Sequence, residues 1–115
     1  TYELSLSFGP PYVYQGKAGY VFSHNKGGSK DDNVEFIAGN PRNLINGLQA
    51  RAGRDIWLVG GAELVRDFLA EDLIDQFIIS IHPIVLGAGI PLFPAQGREL
   101  SLQFIKSVSF ESGLV

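Results

Sequence analysis

The stretch DIWLVGGAELVRDFL, residues 55–69, changes its hydrophobic period halfway along. Ile56, Trp57, Leu58 and Val59 form a continuous apolar run, the pattern of a strand covered on both faces. After Gly60 and Gly61 the apolar residues fall at Leu64, Val65, Phe68 and Leu69, which share one face of a helix. A buried strand that feeds directly into a helix is half of a strand–helix–strand unit. It predicts an α/β fold with a partly parallel sheet.

The flanking sequence continues that alternation. Residues 19–23 (GYVFS) and 34–38 (VEFIA) are short and rich in β-formers, and read as two strands. The polar stretch 25–33 between them contains Gly27-Gly28 and the pair Asp31 and Asp32, and reads as a solvated loop. Asn40 is a good N-cap and Pro41 is tolerated at the first helical position, so a helix starts there. Leu44, Ile45 and Leu48 give it one apolar stripe. Arg51 suits the negative end of its dipole, and Gly53 is a natural left-handed stop. At the start of the chain, Tyr2, Leu4, Leu6 and Phe8 fit either a strand or a short helix, and Gly9-Pro10-Pro11 ends that element.

Downstream, Asp72 and Asp75 flank Leu73 and Ile74 at a helix-to-strand junction, where capping is the simplest role. Residues 76–86 (QFIISIHPIVL) read as a long strand. Pro83 cannot donate to a ladder, so a bulge, bend or edge position is expected there. A loop at 87–91 follows. Residues 100–110 alternate, with a change of phase that suggests a bulge. Two late strands joined without a helix imply an antiparallel edge.

Composition bounds the class. A chain of 115 residues suggests one domain, and 45% hydrophobic with 18% charged residues supports a core rather than disorder. A net charge of −3 implies no basic face for nucleic acid. With no cysteine, disulfides and thiolate metal sites are excluded, and a reducing, cytoplasmic setting is expected. No apolar run approaches a membrane span and no signal-peptide pattern is visible. The chain opens on Thr1-Tyr2-Glu3, contains no methionine and closes on Ser112-Gly113-Leu114-Val115 within an apolar run. These ends read as those of a single domain, 1–115, truncated at both ends, missing its N-terminal strand or strands and the end of the last strand.

The Gly60-Gly61 turn is the main candidate site. Glycine lets a ligand approach the backbone, and the free N–H groups of a first helical turn, with the dipole behind them, attract an anion. The donors are the amides of Gly61, Ala62, Glu63 and Leu64, with Val59 ending the strand that leads in. The plainer alternative is a tight strand-to-helix turn without a ligand, since the pattern is neither GxGxxG nor GxxxxGK[ST]. Glu63 repels a phosphate if it faces one, so it is expected to point away or toward a cofactor hydroxyl. Ser23 and His24 lie at the carboxyl end of strand 19–23; if that strand and 55–59 are parallel, they emerge on the same sheet edge as Gly60, where open α/β sheets bind ligands. His82 reads as a structural histidine, and two distant histidines make a zinc site improbable. Trp57 and Phe22 read as core.

These residues resemble a known family. DIWLVGGAELV at 55–65, Leu73-Ile74-Asp75, and HPIVLGAGIPLF at 82–93 are similar to the dihydrofolate-reductase-like family, in the branch that holds the riboflavin-biosynthesis reductase domain. Tyr20-Val21-Phe22-Ser23 resembles the strand that ends beside the cofactor, and Thr1-Tyr2-Glu3 the tail of a Gly-Arg-x-Thr-Tyr-Glu segment. The resemblance implies a three-layer αβα fold, with a mixed, mostly parallel sheet and antiparallel C-terminal strands. It implies NADPH as cofactor, and hydride transfer to a small heterocyclic, pterin-like or ribosylaminopyrimidine-like substrate. Gly60, Gly61, Ala62, Glu63 and Leu64 match the pyrophosphate turn. Ser23 and His24 match positions near the 2′-phosphate, and Thr1 a threonine that touches the phosphates. Loop 86–93 would border the substrate side. No residue matches the family's acidic group near the substrate, so no catalytic residue is carried over. A non-catalytic nucleotide-binding protein or an oligomerisation module that keeps the fold are the alternatives, and the apolar late strands suggest a homodimer.

Overall fold

Among the described residues, two short strands and two helices form the frame. The computed structural model describes residues 2, 5, 7, 14, 16–24, 33–95 and 97–115. Strand β1 (Gly19–Phe22) pairs in parallel with β2 (Val34–Ile37), with Gly19 opposite Val34 and Phe22 opposite Ile37. The pairing runs one bond past each end, from Gly19 N to Asn33 O (2.8 Å) and from Ser23 N to Ile37 O (3.1 Å). Tyr2 and Ser5 are helical, and the Ser5 hydroxyl donates to the Tyr2 carbonyl at 2.6 Å. That resolves the ambiguous opening segment at those two positions. The Tyr2 ring meets Phe36 of β2 edge to face, with centroids 5.5 Å apart. The glycine and aspartate pairs at 27–28 and 31–32, Gly9-Pro10-Pro11 and Thr1 lie outside the described residues.

Helix α1 (Pro41–Gln49) begins as its sequence dictates. The Asn40 side-chain oxygen accepts from the Arg42 amide at 2.7 Å, and Pro41 sits at the first position. Ile45 is buried, with Leu44 and Leu48 half-buried beside it. The end differs from expectation. The helix stops at Ala50, which is right-handed, and Gly53 has no positive φ. Arg51 therefore lies beyond the last helical turn. The apolar stripe runs out at Leu48, so nothing downstream holds a further turn against the core.

Helix α2 (Ala62–Ala70) buries Phe68 and Leu69, with Leu64 and Val65 half-buried. The Phe68 ring meets Phe22 of β1 edge to face at 5.9 Å. Its end is closed by a paired motif in which Leu73 N donates to Phe68 O (3.0 Å) and Asp72 N to Leu69 O (3.1 Å). The motif needs a left-handed residue at its turn. Asp72 supplies it with φ +50°, a conformation aspartate tolerates better than most residues. The capping role read for Asp72 thus rests on its backbone.

The expected strands at 55–59, 76–86 and 100–110 are not paired into the sheet. A strand exists through its ladder, and these runs have no neighbouring ladder among the described residues. Their side chains are correspondingly open: Trp57 is 75% exposed and Val85 97%. Trp57 is therefore not core, although its ring meets Tyr14 at 5.6 Å. Phe22 is half-buried. The described residues thus form an α/β unit with a two-stranded parallel sheet; they do not build three layers or an antiparallel sheet.

Local features of the late segments do follow their sequence. Pro83 is the centre of a tight turn in which Ile84 N donates to His82 O at 2.8 Å, the bend expected there. Ile81 and Val115 exchange both backbone hydrogen bonds, at 2.7 and 3.0 Å, without extending into a ladder. Phe110 and Leu114 close a three-residue loop, with Phe110 N donating to Leu114 O and Gly113 N to Phe110 O, both at 2.9 Å. The chain is expanded, with a radius of gyration of 16.1 Å, against about 13 Å for a compact chain of this length.

Gly113 carries a consequence for stability. It has φ +83°, and a Cβ there would sit 3.1 Å from Pro83 Cγ. Gly113→Ala is expected to lower stability by about 1–2 kcal/mol in chemical denaturation. An unchanged midpoint would show that the turn does not hold the 81–115 contact.

Candidate functional site

The Gly60-Gly61 turn leaves the N-terminus of α2 bare. Gly60 has φ +101°, a conformation that side chains rarely adopt, and the nearest atom to a Cβ there would be Val65 Cγ2 at 4.0 Å. The peptide between Gly60 and Gly61 is cis. Gly61 caps the helix with extended backbone, and no side chain caps it. The first i→i−4 bond runs from Val65 N to Gly61 O at 3.0 Å. The amides of Ala62, Glu63 and Leu64 therefore lack intrahelical acceptors, as in any first turn. Here, among the described residues, no side chain takes their place.

This geometry suits a phosphate. The donors are uncapped, Gly61 is exposed, and a Cβ at Gly60 would meet Val65 Cγ2 only at ordinary contact distance. The helix dipole adds to the attraction. Glu63 is exposed and makes no side-chain hydrogen bond or ion pair among the described residues, so it does not compete for those amides.

Ser23 and His24 follow β1 directly. Ser23 is half-buried and its amide is held by Ile37 O; His24 is exposed. The contact that relates this strand end to α2 is the Phe22–Phe68 ring pair, one residue before Ser23 and seven after Gly61. The sheet edge expected to join Ser23 and His24 to Gly60 is not formed, because residues 55–59 have no ladder to β1 or β2. Val59 is exposed beside Gly60, and Thr1 lies outside the described residues. His82 is exposed in the Pro83 turn. The described residues hold no cluster of three metal-ligating side chains.

The opposite end of α2 carries contacts that local sequence patterns do not reveal. Arg42 Nε donates to Glu71 Oε2 at 2.7 Å, and Arg42 Nη2 donates to the Glu71 carbonyl. Asn40 Nδ2 donates to Glu71 Oε1 at 3.0 Å. Arg98 Nη2 donates to Leu69 O at 2.8 Å and pairs with Asp72 Oδ1 at 2.6 Å. These partners are 26 to 31 residues apart, so no periodicity or motif announces them. The Arg42 hydrogen bond, and after it that of Asn40, hold the Glu71 carboxyl below its ordinary value.

The family of the chain follows from comparison. The profile of the RibD C-terminal domain family matches residues 21–115, and the chain belongs to that family. It is 44% identical over 103 residues to uncharacterized protein YwjB of Bacillus subtilis, covering 90% of this chain and 59% of that protein. It is 40% identical over 99 residues to uncharacterized protein YyaP of the same organism, covering 86% of this chain and 52% of that protein. The chain thus spans little more than half the length of these curated relatives. No helix among the described residues is long and apolar enough to cross a membrane.

The Glu71 contacts make stability depend on pH in a definite direction. A carboxyl whose pKa is lowered by folding contributes stability above its unfolded value, and that contribution is lost as pH falls through the lowered folded value. Glu71→Gln is therefore expected to lower the unfolding midpoint at neutral pH and to converge on the wild type in acid. A gap between the two proteins that stays constant with pH would mean the carboxylate form is not what Arg42 stabilises.

Proposed function

We propose that this protein binds NADPH and acts as a reductase of a small heterocyclic substrate, pterin-like or ribosylaminopyrimidine-like. The observation that carries the reading is the uncapped N-terminus of α2 behind the positive-φ Gly60, in a chain of the RibD C-terminal domain family. The amides of Gly61, Ala62, Glu63 and Leu64 bind the pyrophosphate, with Val59 and Gly60 shaping the approach. Ser23 donates to the 2′-phosphate, and His24 pairs with it when protonated. Thr1 adds a hydroxyl at the phosphates.

The cofactor supplies the hydride, and the protein supplies binding, orientation and electrostatics. Fixed amide dipoles suit this task, because they need no reorganisation when the anion arrives. The substrate side is assigned to loop 86–93, whose position is influenced by the edge-to-face contact of Phe93 with Phe77 at 5.6 Å. The exposed apolar residues of the late segments favour a further role for this region, contact with a second copy of the chain. Light scattering on the intact protein distinguishes a dimer from a monomer at all concentrations; the latter removes that part of the proposal.

Trp57, three residues before Gly60 and largely exposed, is a natural reporter. NADPH is expected to quench its fluorescence with saturation in the micromolar range, and absence of binding at millimolar NADPH would defeat the reading. Gly61→Asp places bulk and negative charge at the phosphate donors, and is expected to weaken binding by about tenfold or more. Retained affinity would move the cofactor away from this turn.

A further inference from the structure

The two ends of α2 differ in how they are held. Its buried residues, Phe68 and Leu69, both lie in the last turn. The polar tethers lie there too. Three groups from the start of α1 grip Glu71: Arg42 Nε and Nη2 on one carboxylate oxygen and the carbonyl, and Asn40 Nδ2 on the other carboxylate oxygen. Arg98 holds the adjacent Leu69 carbonyl. The N-terminal half has half-buried Leu64 and Val65 and no side-chain cap.

The grip joins the start of α1 to the end of α2. The Glu71 carboxylate faces the positive end of α1, and the Arg42 guanidinium faces the negative end of α2. Each charge also lies at the unfavourable end of its own helix, so the direct bonds rather than the dipoles carry the grip. Asn40 serves twice, since its oxygen caps α1 while its amide nitrogen holds Glu71.

We propose that the Asn40–Arg42–Glu71 clamp is a positioning device for cofactor binding, fixing the tilt of α2 so that the amides of Ala62, Glu63 and Leu64 meet the phosphates. This rests on the nucleotide-binding reading given above. Nine residues of helix span roughly 13 Å, so a swing of about 10° at the clamped end moves the donor end by about 2 Å. Hydrogen bonds to a phosphate do not survive such a displacement with good geometry. Arg42 acts through the helix, because its guanidinium bonds to Glu71 at the end of α2 opposite the first-turn amides. The clamp therefore serves every dinucleotide that uses the same amides, with or without a 2′-phosphate.

The test measures dissociation constants for NADPH and NADH in the intact protein, alongside unfolding midpoints. The set is the wild type, Arg42→Ala, Arg42→Lys, Glu71→Gln and the double variant Arg42→Ala/Glu71→Gln. Affinities refer to folded protein, verified by circular dichroism. Arg42→Ala and Glu71→Gln are expected to weaken both dinucleotides by the same factor, about three- to tenfold. Arg42→Lys should recover part of the loss, and the double variant should bind no worse than either single one. Unchanged affinity in the variants, with or without a lowered unfolding midpoint, would overturn the proposal and leave the clamp purely structural. Weakening confined to NADPH would also overturn it, since Arg42 would then be a 2′-phosphate ligand. A wild type that binds neither dinucleotide would remove the cofactor reading and the clamp's role with it. Should Arg42→Ala fail to fold, the near-isosteric Glu71→Gln still decides between these outcomes.

Discussion

Helix α2 is held at one end and open at the other, and the arrangement of the molecule follows from that asymmetry. Its last turn is buried through Phe68 and Leu69, closed by the left-handed Asp72, and gripped by Arg42, Asn40 and Arg98. Its first turn has no cap and is preceded by a glycine whose conformation excludes most side chains. Exposed ion pairs each contribute little to stability. One ion pair joined by a neutral hydrogen bond to the same carboxylate and by arginine bonds to two backbone carbonyls does something else, which is to favour one orientation. The free amides at the far end can then serve a ligand without the helix having to be ordered at the moment of binding.

The sheet sets the second constraint. β1 and β2 are parallel, and Phe22 at the end of β1 reaches α2 through Phe68. The strand end that carries Ser23 and His24 is thereby related to the helix whose first turn is uncapped. The apolar runs further along have no ladder of their own among the described residues. An unpaired apolar strand presents both hydrophobic side chains and unused backbone groups, and so favours pairing with another surface.

Local rules carried the sequence reading where one residue decides a geometry. Asn40-Pro41 opens a helix because the side chain accepts from Arg42 and proline needs no donor. Gly60-Gly61 ends one element and starts another because of φ at Gly60. Pro83 makes a bend for want of an N–H. The reading departed from the structure where the outcome depends on partners. Trp57 has the composition of a core residue but no covering layer, and Gly53 is not needed as a stop because the apolar stripe ends at Leu48. The clamp on Glu71 was illegible for the same reason, since it joins residues about thirty positions apart through charge and direction alone.

The chain belongs to the RibD C-terminal domain family, and the proposed cofactor site rests on that membership together with the uncapped turn of α2. The central claim is that the first-turn amides of α2 are the phosphate donors. Backbone amide NMR of the intact protein during titration with NADPH tests it most directly. The expected result is saturable shifts of the Gly61, Ala62, Glu63 and Leu64 amides, larger than those elsewhere on α2. Binding accompanied by shifts at other segments, with these four amides unmoved, would contradict it.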